Sequence, residues 1–306
     1  MQQVAVETPQ SRRLTGYLLV AAAACLWGTL GIAGRMLYAA GLTPGVVVTL
    51  RASVAALVVL ATLGVVRPAS LRIAWRDVPY FAAYGLFSVA AFYLLYFTTI
   101  QHISVAAAAV LLYTAPTFVA IVAYLLMGEP LTRAKVVALG VTLAGCALVS
   151  RAYEPGTFRA QGMGLLTGLG AGFTYGMYAI FGKHGLRKYG PWTVQAYSML
   201  FGSLALLPVY GVATVRALGA APQVWPLVAY LGLVPTVAAY GLYLTGLQSI
   251  ESSHASIVAT LEPVVAAGLG FLLLREPLGL LQLAGMALVL SGVAVLQRSA
   301  AWPVAD

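Results

Sequence analysis

Two ionisable side chains lie deep inside otherwise apolar runs. Glu262 stands directly before Pro263, about eight residues from the end of its run, or roughly 12 Å along a helix axis. Arg51 stands about seven residues inside another run, counted from the opposite side of a bilayer. A charge at such depth is costly unless it is neutralised, paired or hydrated. A carboxylate and a guanidinium together can hold the two ends of a zwitterion, and the carboxyl can also exchange a proton. The plainer alternatives are a hydrogen-bonded structural acid and an arginine that snorkels outward. The two depths differ by less than ~10 Å, so a direct Arg51–Glu262 pair is also open.

Phenols are the second chemical feature. Tyr93 and Tyr96 in one run recur as Tyr240 and Tyr243 in another, and a spacing of three puts each pair on one helix face. Tyr113, Tyr175 and Tyr178 add mid-span hydroxyls, and Trp27 adds an indole. These rings are too deep for the aromatic belt at a membrane surface. Their polar tips need partners or water, so they either line a cavity or bond helix to helix. Pro116 and Pro263 each free a carbonyl one turn earlier, at a hinge or a static bend. His102 and His254 fall at turns and read as structural.

Other chemistries have no residues to carry them. The chain contains no G-x-x-x-x-G-K-[ST] phosphate loop, no G-x-S-x-G nucleophile elbow and no His or Cys spacing for a metal. No cofactor is expected. The deep serines lack an adjacent deep histidine, which argues against a hydrolase.

These residues are positioned by a repeat. From Tyr93 the chain reads YLLYFTTIQHI, and from Tyr240 it reads YGLYLTGLQSI. One offset also pairs Pro116 with Pro263, Glu129-Pro130 with Glu276-Pro277, and Gly145 with Gly292. Glu262 breaks this symmetry, because Ala115 takes its place in the first copy; Ser198 takes the place of Arg51 in the second. An apolar chain with an internal repeat points to transport, with the site where the halves meet.

Of 306 residues, 61% are hydrophobic and 8% charged, too few charges to cover a soluble surface. Apolar stretches of about 20 residues predict an all-α integral membrane protein. Ten transmembrane helices are predicted near 14–38, 44–65, 78–100, 104–127, 133–150, 162–183, 191–213, 226–248, 254–274 and 278–297. Residues 1–13 and 298–306 are tails, 14–150 and 162–297 are five-helix repeats, and 151–161 is an extracytoplasmic linker. Arg12-Arg13 before an apolar run imitates a signal peptide, but the run continues past Trp27 to Leu37, so it is expected to remain as the first span. Cys25 and Cys146 both fall in apolar segments, which disfavours a disulfide. The net charge of +9 is spread through short loops and fits a topology signal better than nucleic-acid binding. Arg67, Arg72, Arg76, Arg133, Lys135, Lys183, Arg187 and Lys188 collect on one side with both termini, and that side is expected to be cytoplasmic. Five helices per repeat then make the halves inverted in topology. The Gly164, Gly168, Gly172, Gly176 stripe predicts a close helix approach. Arg35 and Lys183, eight residues after Trp27 and Tyr175, are expected to snorkel to headgroups on opposite sides.

Trp27-Gly28, Pro116 with Glu129-Pro130, and Pro263 with Glu276-Pro277 make the chain resemble the drug/metabolite transporter superfamily over roughly residues 14–297. Overall it looks most like its bacterial exporters of aromatic amino acids. The resemblance implies a basket of helices, with helices three, four, eight and nine around a central cavity and helices five and ten as braces. It also implies an inner-membrane carrier that exports small amphipathic metabolites by alternating access, with a small molecule and the lipid bilayer as its partners. Aromatic amino acids are the first expectation and aromatic cationic drugs the second. A phosphate-ester or nucleotide-sugar exchanger would want more deep cations than Arg51, and the repeat symmetry favours a carrier over a channel. Trp27, Arg51, Tyr93, Tyr96, Tyr113, Tyr175, Tyr240, Tyr243 and Glu262 are the expected substrate-binding residues, with Pro116 and Pro263 as gates. Oligomeric state is not legible.

Overall fold

The computed structural model describes residues 9–154, 162–220 and 222–301. Among them there is no strand. Helices one to ten run Pro9–Ala39, Pro44–Val66, Trp75–His102, Val105–Met127, Arg133–Val149, Gly162–Gly185, Pro191–Ala220, Trp225–Leu247, Ser252–Leu274 and Leu280–Ala301. The linker expected at 151–161 lies mostly outside the described residues. Residues 9–13, expected as tail, are already helical, and helix seven continues to Ala220 rather than ending near 213.

Eight of the ten helices are long and apolar enough to cross a membrane. Helix five falls short on length, at 17 residues, which is about 26 Å against a hydrocarbon core of about 30 Å. Helix six falls short on composition. Its glycines lower hydropathy, but they suit a rod packed on several sides within the bundle.

Local signals start and stop the rods. Ser104 and Thr132 accept from the backbone N–H three residues on, at 3.1 Å and 3.3 Å, which caps helices four and five. Helices four and nine end at the same repeat position, Gly128 and Arg275, both in the left-handed region at φ 71° and 55°. Glycine adopts that conformation freely; Arg275 does so under mild strain. Short turns make successive helices antiparallel, so their ends alternate between two faces. The first face carries the turns after helices two, four, six and eight. The second carries the turns after helices one, three, seven and nine.

The repeats exchange partners. Helix one packs on eight and nine, helix six packs on three and four, two lies on seven, and five on ten. The correspondence reaches single atoms. A Cβ on Gly16 would meet Ile250 Cγ2 at 2.9 Å, and one on Gly164 would meet Ile103 Cγ2 at 2.5 Å. Farther along the glycine stripe, a Cβ on Gly172 would stand 2.6 Å from the Leu111 carbonyl oxygen. Helices five and ten touch through Gly145 and Gly285, where each Cβ would lie 2.7 Å from the other's carbonyl oxygen.

The same irregularities also recur. Helices three and eight each contain one π-helical stretch, Leu86–Ala91 and Leu233–Ala238, at identical repeat positions. Helices four and nine each break at mid-length, after Leu112 and after Ala259. They restart at Ala115-Pro116 and at Leu261-Glu262-Pro263. Proline supplies no N–H, so it sits without penalty in the first turn of each new segment.

Candidate functional site

Irregular backbone inside a membrane bundle is tolerated where it lines a cavity or is satisfied by neighbours. Here it does both. The π stretch of helix eight includes the carbonyls of Thr236 and Val237. Gln195 on helix seven donates its Nε2 to them at 3.1 Å and 3.0 Å. The same stretch presents the Thr236 hydroxyl, which donates to the Leu231 carbonyl and accepts from Arg51 Nε at 3.1 Å. The Arg51 guanidinium also lies 5.7 Å from the centre of the Tyr93 ring. Arg51 is thus buried and fixed by its Nε, which leaves both terminal amino groups for other partners.

Replacing Gln195 with leucine should remove both side-chain hydrogen bonds to the π stretch. A loss of about 0.5–1.5 kcal/mol per bond is expected, read as a lower melting temperature in detergent. An unchanged melting temperature would mean that the helix's own N–H groups suffice for those carbonyls.

The guanidinium borders a cavity of about 250 Å³ at the centre of the bundle. Seven of the nine residues singled out from sequence line it: Trp27, Arg51, Tyr93, Tyr96, Tyr175, Tyr240 and Glu262. Tyr113 and Tyr243 do not. They line, with Pro116, a smaller space of about 30 Å³ that shares Trp27, Leu112, Tyr175 and Tyr240 with the larger one. Pro263 is buried and borders neither space. Helices one and two contribute more of the wall than helices three and eight, which widens the expected set of three, four, eight and nine. Helices five and ten contribute none and pack on each other.

Sequence reasoning missed Tyr38, Phe92 and Phe97 on the cavity wall. Tyr38, near a helix end, resembles an interfacial belt residue. It also missed Thr236 and Gln195, although Pro235, a proline inside an apolar run, signalled an irregular helix there.

Glu262 lies in the first turn of the restarted half of helix nine. The positive end of that half-helix favours a carboxylate there, which gives a physical reason for an acid at mid-span. No ion pair within 4.0 Å joins Glu262 to Arg51 among the described residues, although both face the same cavity. The walls between them are aromatic. Trp27 packs edge-on to Tyr240 at 5.0 Å, and Phe92 lies 5.1 Å from Tyr175. The Trp27 indole N–H is buried without a partner at the junction of the two spaces, as a donor for whatever enters. Gly28, its neighbour, lets helix one approach helix nine: a Cβ there would stand 2.7 Å from Val265 Cγ1.

Gly31 and Tyr38, both exposed, rim the cavity toward the second face. Toward the first face the bundle is sealed by Tyr178, Tyr243, Ser256 and Ala259, around the small space only. Beyond that seal lies a separate vestibule of about 510 Å³ with Arg133, Lys135, Lys183, Glu251 and His254 in its wall. Lys135 is buried and pairs with Glu251, and it donates to the Pro130 carbonyl at 2.7 Å. His254 accepts from or donates to the Tyr17 hydroxyl at 2.5 Å, a structural role. Arg35 and Lys183 both make specific contacts within the protein. Arg35 pairs with Glu276 at 2.5 Å, and Lys183 donates to the Leu247 and Ile250 carbonyls at 2.7 Å each.

Known proteins share this pattern. The chain matches the EamA-like transporter family over residues 14–151 and again over 162–298, once per repeat. It is 32% identical over 227 residues to an uncharacterized transporter of Archaeoglobus fulgidus, covering 74% of this chain and 80% of that protein. It is 30% identical over 254 residues to a probable terminal-alkyne amino-acid exporter of Streptantibioticus cattleyicolor, covering 81% of this chain and 80% of that one. A crystal structure of a protein with 21% identity superposes with a TM-score of 0.76 over 94% of this chain and 99% of its own. Two tandem matches that cover nearly the whole chain, on a bundle of two exchanged repeats, identify a multi-pass membrane protein: the chain belongs to the EamA-like transporter family, within the drug/metabolite transporter superfamily.

Proposed function

We propose that this protein exports small zwitterions with apolar or aromatic side chains, aromatic amino acids first, across the bacterial inner membrane. The observation that carries the reading is the central cavity. It presents a buried cation, Arg51, and an acid, Glu262, that face one space without pairing, with rings between them. A carboxylate at Arg51 and an ammonium at Glu262 would satisfy both charges at once, and a flat side chain would stack among the tyrosines. A volume of about 250 Å³ lies just below the usual range of ligand pockets, about 300–1,000 Å³. It fits a single amino acid better than a large drug. The probable amino-acid exporter among its relatives supports the same class.

Transport runs by alternating access between two inverted repeats. Both termini and the first face are cytoplasmic, following the excess of Arg and Lys on that side. The second face, toward which Gly31 and Tyr38 rim the cavity, is extracytoplasmic, so the conformation described is outward-open. The breaks at Pro116 and Pro263 are the hinges.

Counterflow in liposomes tests the proposal. Purified protein should accumulate labelled phenylalanine, tyrosine or tryptophan against unlabelled amino acid trapped inside, saturably and with mutual competition. Uptake no greater than in empty liposomes, with the protein shown to be folded, would remove aromatic amino acids as the cargo.

A further inference from the structure

The two faces of the bundle are held differently by residues that the repeat makes equivalent. On the first face the turn between helices eight and nine is clamped by the other half of the chain. Glu129 accepts from the Ser252 N–H at 2.7 Å, the Ser253 N–H at 3.1 Å and the Ser253 hydroxyl at 2.6 Å. Lys183 donates to the Leu247 and Ile250 carbonyls at 2.7 Å each. The clamp therefore caps the end of one helix and the start of the next. Burial pushes the Glu129 carboxyl up. The Ser253 and Ser252 hydrogen bonds and the Lys135 charge outweigh that and hold it below its ordinary range, so it stays ionised.

The corresponding residues on the second face are Glu276 for Glu129 and Arg35 for Lys183. Their corresponding target is the turn between helices three and four: Ile100, Ile103, Val105 and Ala106 stand where Leu247, Ile250, Ser252 and Ser253 stand in the second half. Among the described residues, Arg35 and Glu276 do not clamp that turn. Val105 is 65% exposed, whereas Ser252 is fully buried. Arg35 and Glu276 instead pair with each other, at 63% and 47% exposure. An ion pair that open to solvent contributes little.

We infer that Glu129 with Lys183 and Glu276 with Arg35 are two alternately engaged gate clamps. In the opposite conformation Arg35 caps the carbonyls of Ile100 and Ile103, and Glu276 takes the N–H groups of Val105 and Ala106. Glu129 and Lys183 then release the helix eight–nine turn and pair with each other at the open first face. Each clamp favours closure of its own face, so their loss has opposite effects on the equilibrium. The inference rests on the two-state carrier reading above, and it is independent of which solute is carried.

Leu112 and Ala259 occupy one repeat position and report the two states. Leu112 lines the open cavity, and Ala259 lines only the sealed space beneath it. Each is changed to cysteine, Leu112→Cys or Ala259→Cys, in a background lacking Cys25 and Cys146, and the reaction with a membrane-impermeant maleimide is timed in nanodiscs. Without a further change Leu112→Cys should react and Ala259→Cys should be protected. Adding Glu129→Gln should speed labelling of Ala259→Cys about tenfold and slow that of Leu112→Cys, as expected for losing hydrogen bonds to a charged group. Adding Glu276→Gln to that variant should return both rates toward their starting values. Lys183→Met is the substitute for Glu129→Gln if the latter does not stay folded. Unchanged labelling in both Glu129→Gln and Lys183→Met would overturn the inference. So would a Glu276→Gln addition that leaves Ala259→Cys as reactive or makes it more so. Because no solute is present, failed counterflow with this labelling pattern would sink only the amino-acid reading. Intact counterflow without the pattern would sink only the clamps.

Discussion

Replacing Arg51 with methionine is expected to raise the half-saturation concentration for a transported amino acid roughly ten- to a hundredfold. The estimate follows from losing one hydrogen-bonded charge partner, worth about 1.5–3 kcal/mol. Methionine keeps much of the volume in the wall but offers no donor, so the solute's carboxylate would enter an apolar pocket uncompensated. Glu262→Gln should weaken the same substrate less, because the amide oxygen still accepts from an ammonium. It should also change how transport depends on pH, since a titratable carboxyl is removed. Initial rates of counterflow over a concentration series read both variants. Unchanged half-saturation in Arg51→Met would place the arginine in helix packing, tied to Thr236 and Tyr93 alone.

Gly172→Val is expected to damage the fold itself. A Cβ at that position would stand 2.6 Å from the Leu111 carbonyl and 2.8 Å from the Thr114 hydroxyl. The carbonyl is backbone and cannot rotate away, and Thr114 is already engaged with that same carbonyl at 2.6 Å. Helix six would have to move off the break in helix four. Overpacking of this kind costs about 1–3 kcal/mol, and a rigid backbone neighbour puts this site at the upper end. The expected result is a clear fall in melting temperature and in the yield of monodisperse protein. Gly31→Val, where nothing lies within 4 Å, should melt close to the native protein. Equal melting of the two variants would show that the glycine stripe is not a packing seam.

The comparison of these two glycines also shows what the sequence could reveal. Spacing alone marked Gly164, Gly168, Gly172 and Gly176 as a seam, because a period of four on a helix defines a face. It could not tell which helix would meet that face. The partner, helix four at its break, depends on how the repeats interlock. The offset pairing Tyr93 with Tyr240 carried more than family membership. It also carries the two π stretches, the two mid-helix breaks and the two left-handed helix ends at Gly128 and Arg275. Pro116 and Pro263 announce the two breaks as bends, but nothing announces the π stretches or the left-handed ends, since a π stretch leaves no compositional mark at Leu86–Ala91 and only one proline at Leu233–Ala238.

The cavity was legible where chemistry stands out against an apolar background. Arg51 and Glu262 are conspicuous in such runs, and phenols at helical spacing are nearly so. Phe92 and Phe97 could not be separated from core residues, because an aromatic side chain in a membrane helix serves either purpose. Tyr243 lies on the adjoining smaller space instead. It shares a helix face with Tyr240, yet it is sealed beside Trp27 and Tyr178, whereas its repeat partner Tyr96 lines the cavity. Identical sequence positions have different surroundings because the two halves are caught in different packings. The clamps escaped notice for the same reason: a Glu-Pro turn and a terminal lysine look like loop chemistry until the helix ends they cap are known.

The most direct test of the account is competition in counterflow by phenylalanine and by two analogues that each lack one charge, phenethylamine and 3-phenylpropionate. If Arg51 and Glu262 grip the two ends of one zwitterion, phenylalanine should compete well and each analogue at least about tenfold less. Equal competition by phenethylamine would contradict the account: Arg51 would not be holding a carboxylate, and the cavity would be one for aromatic cations.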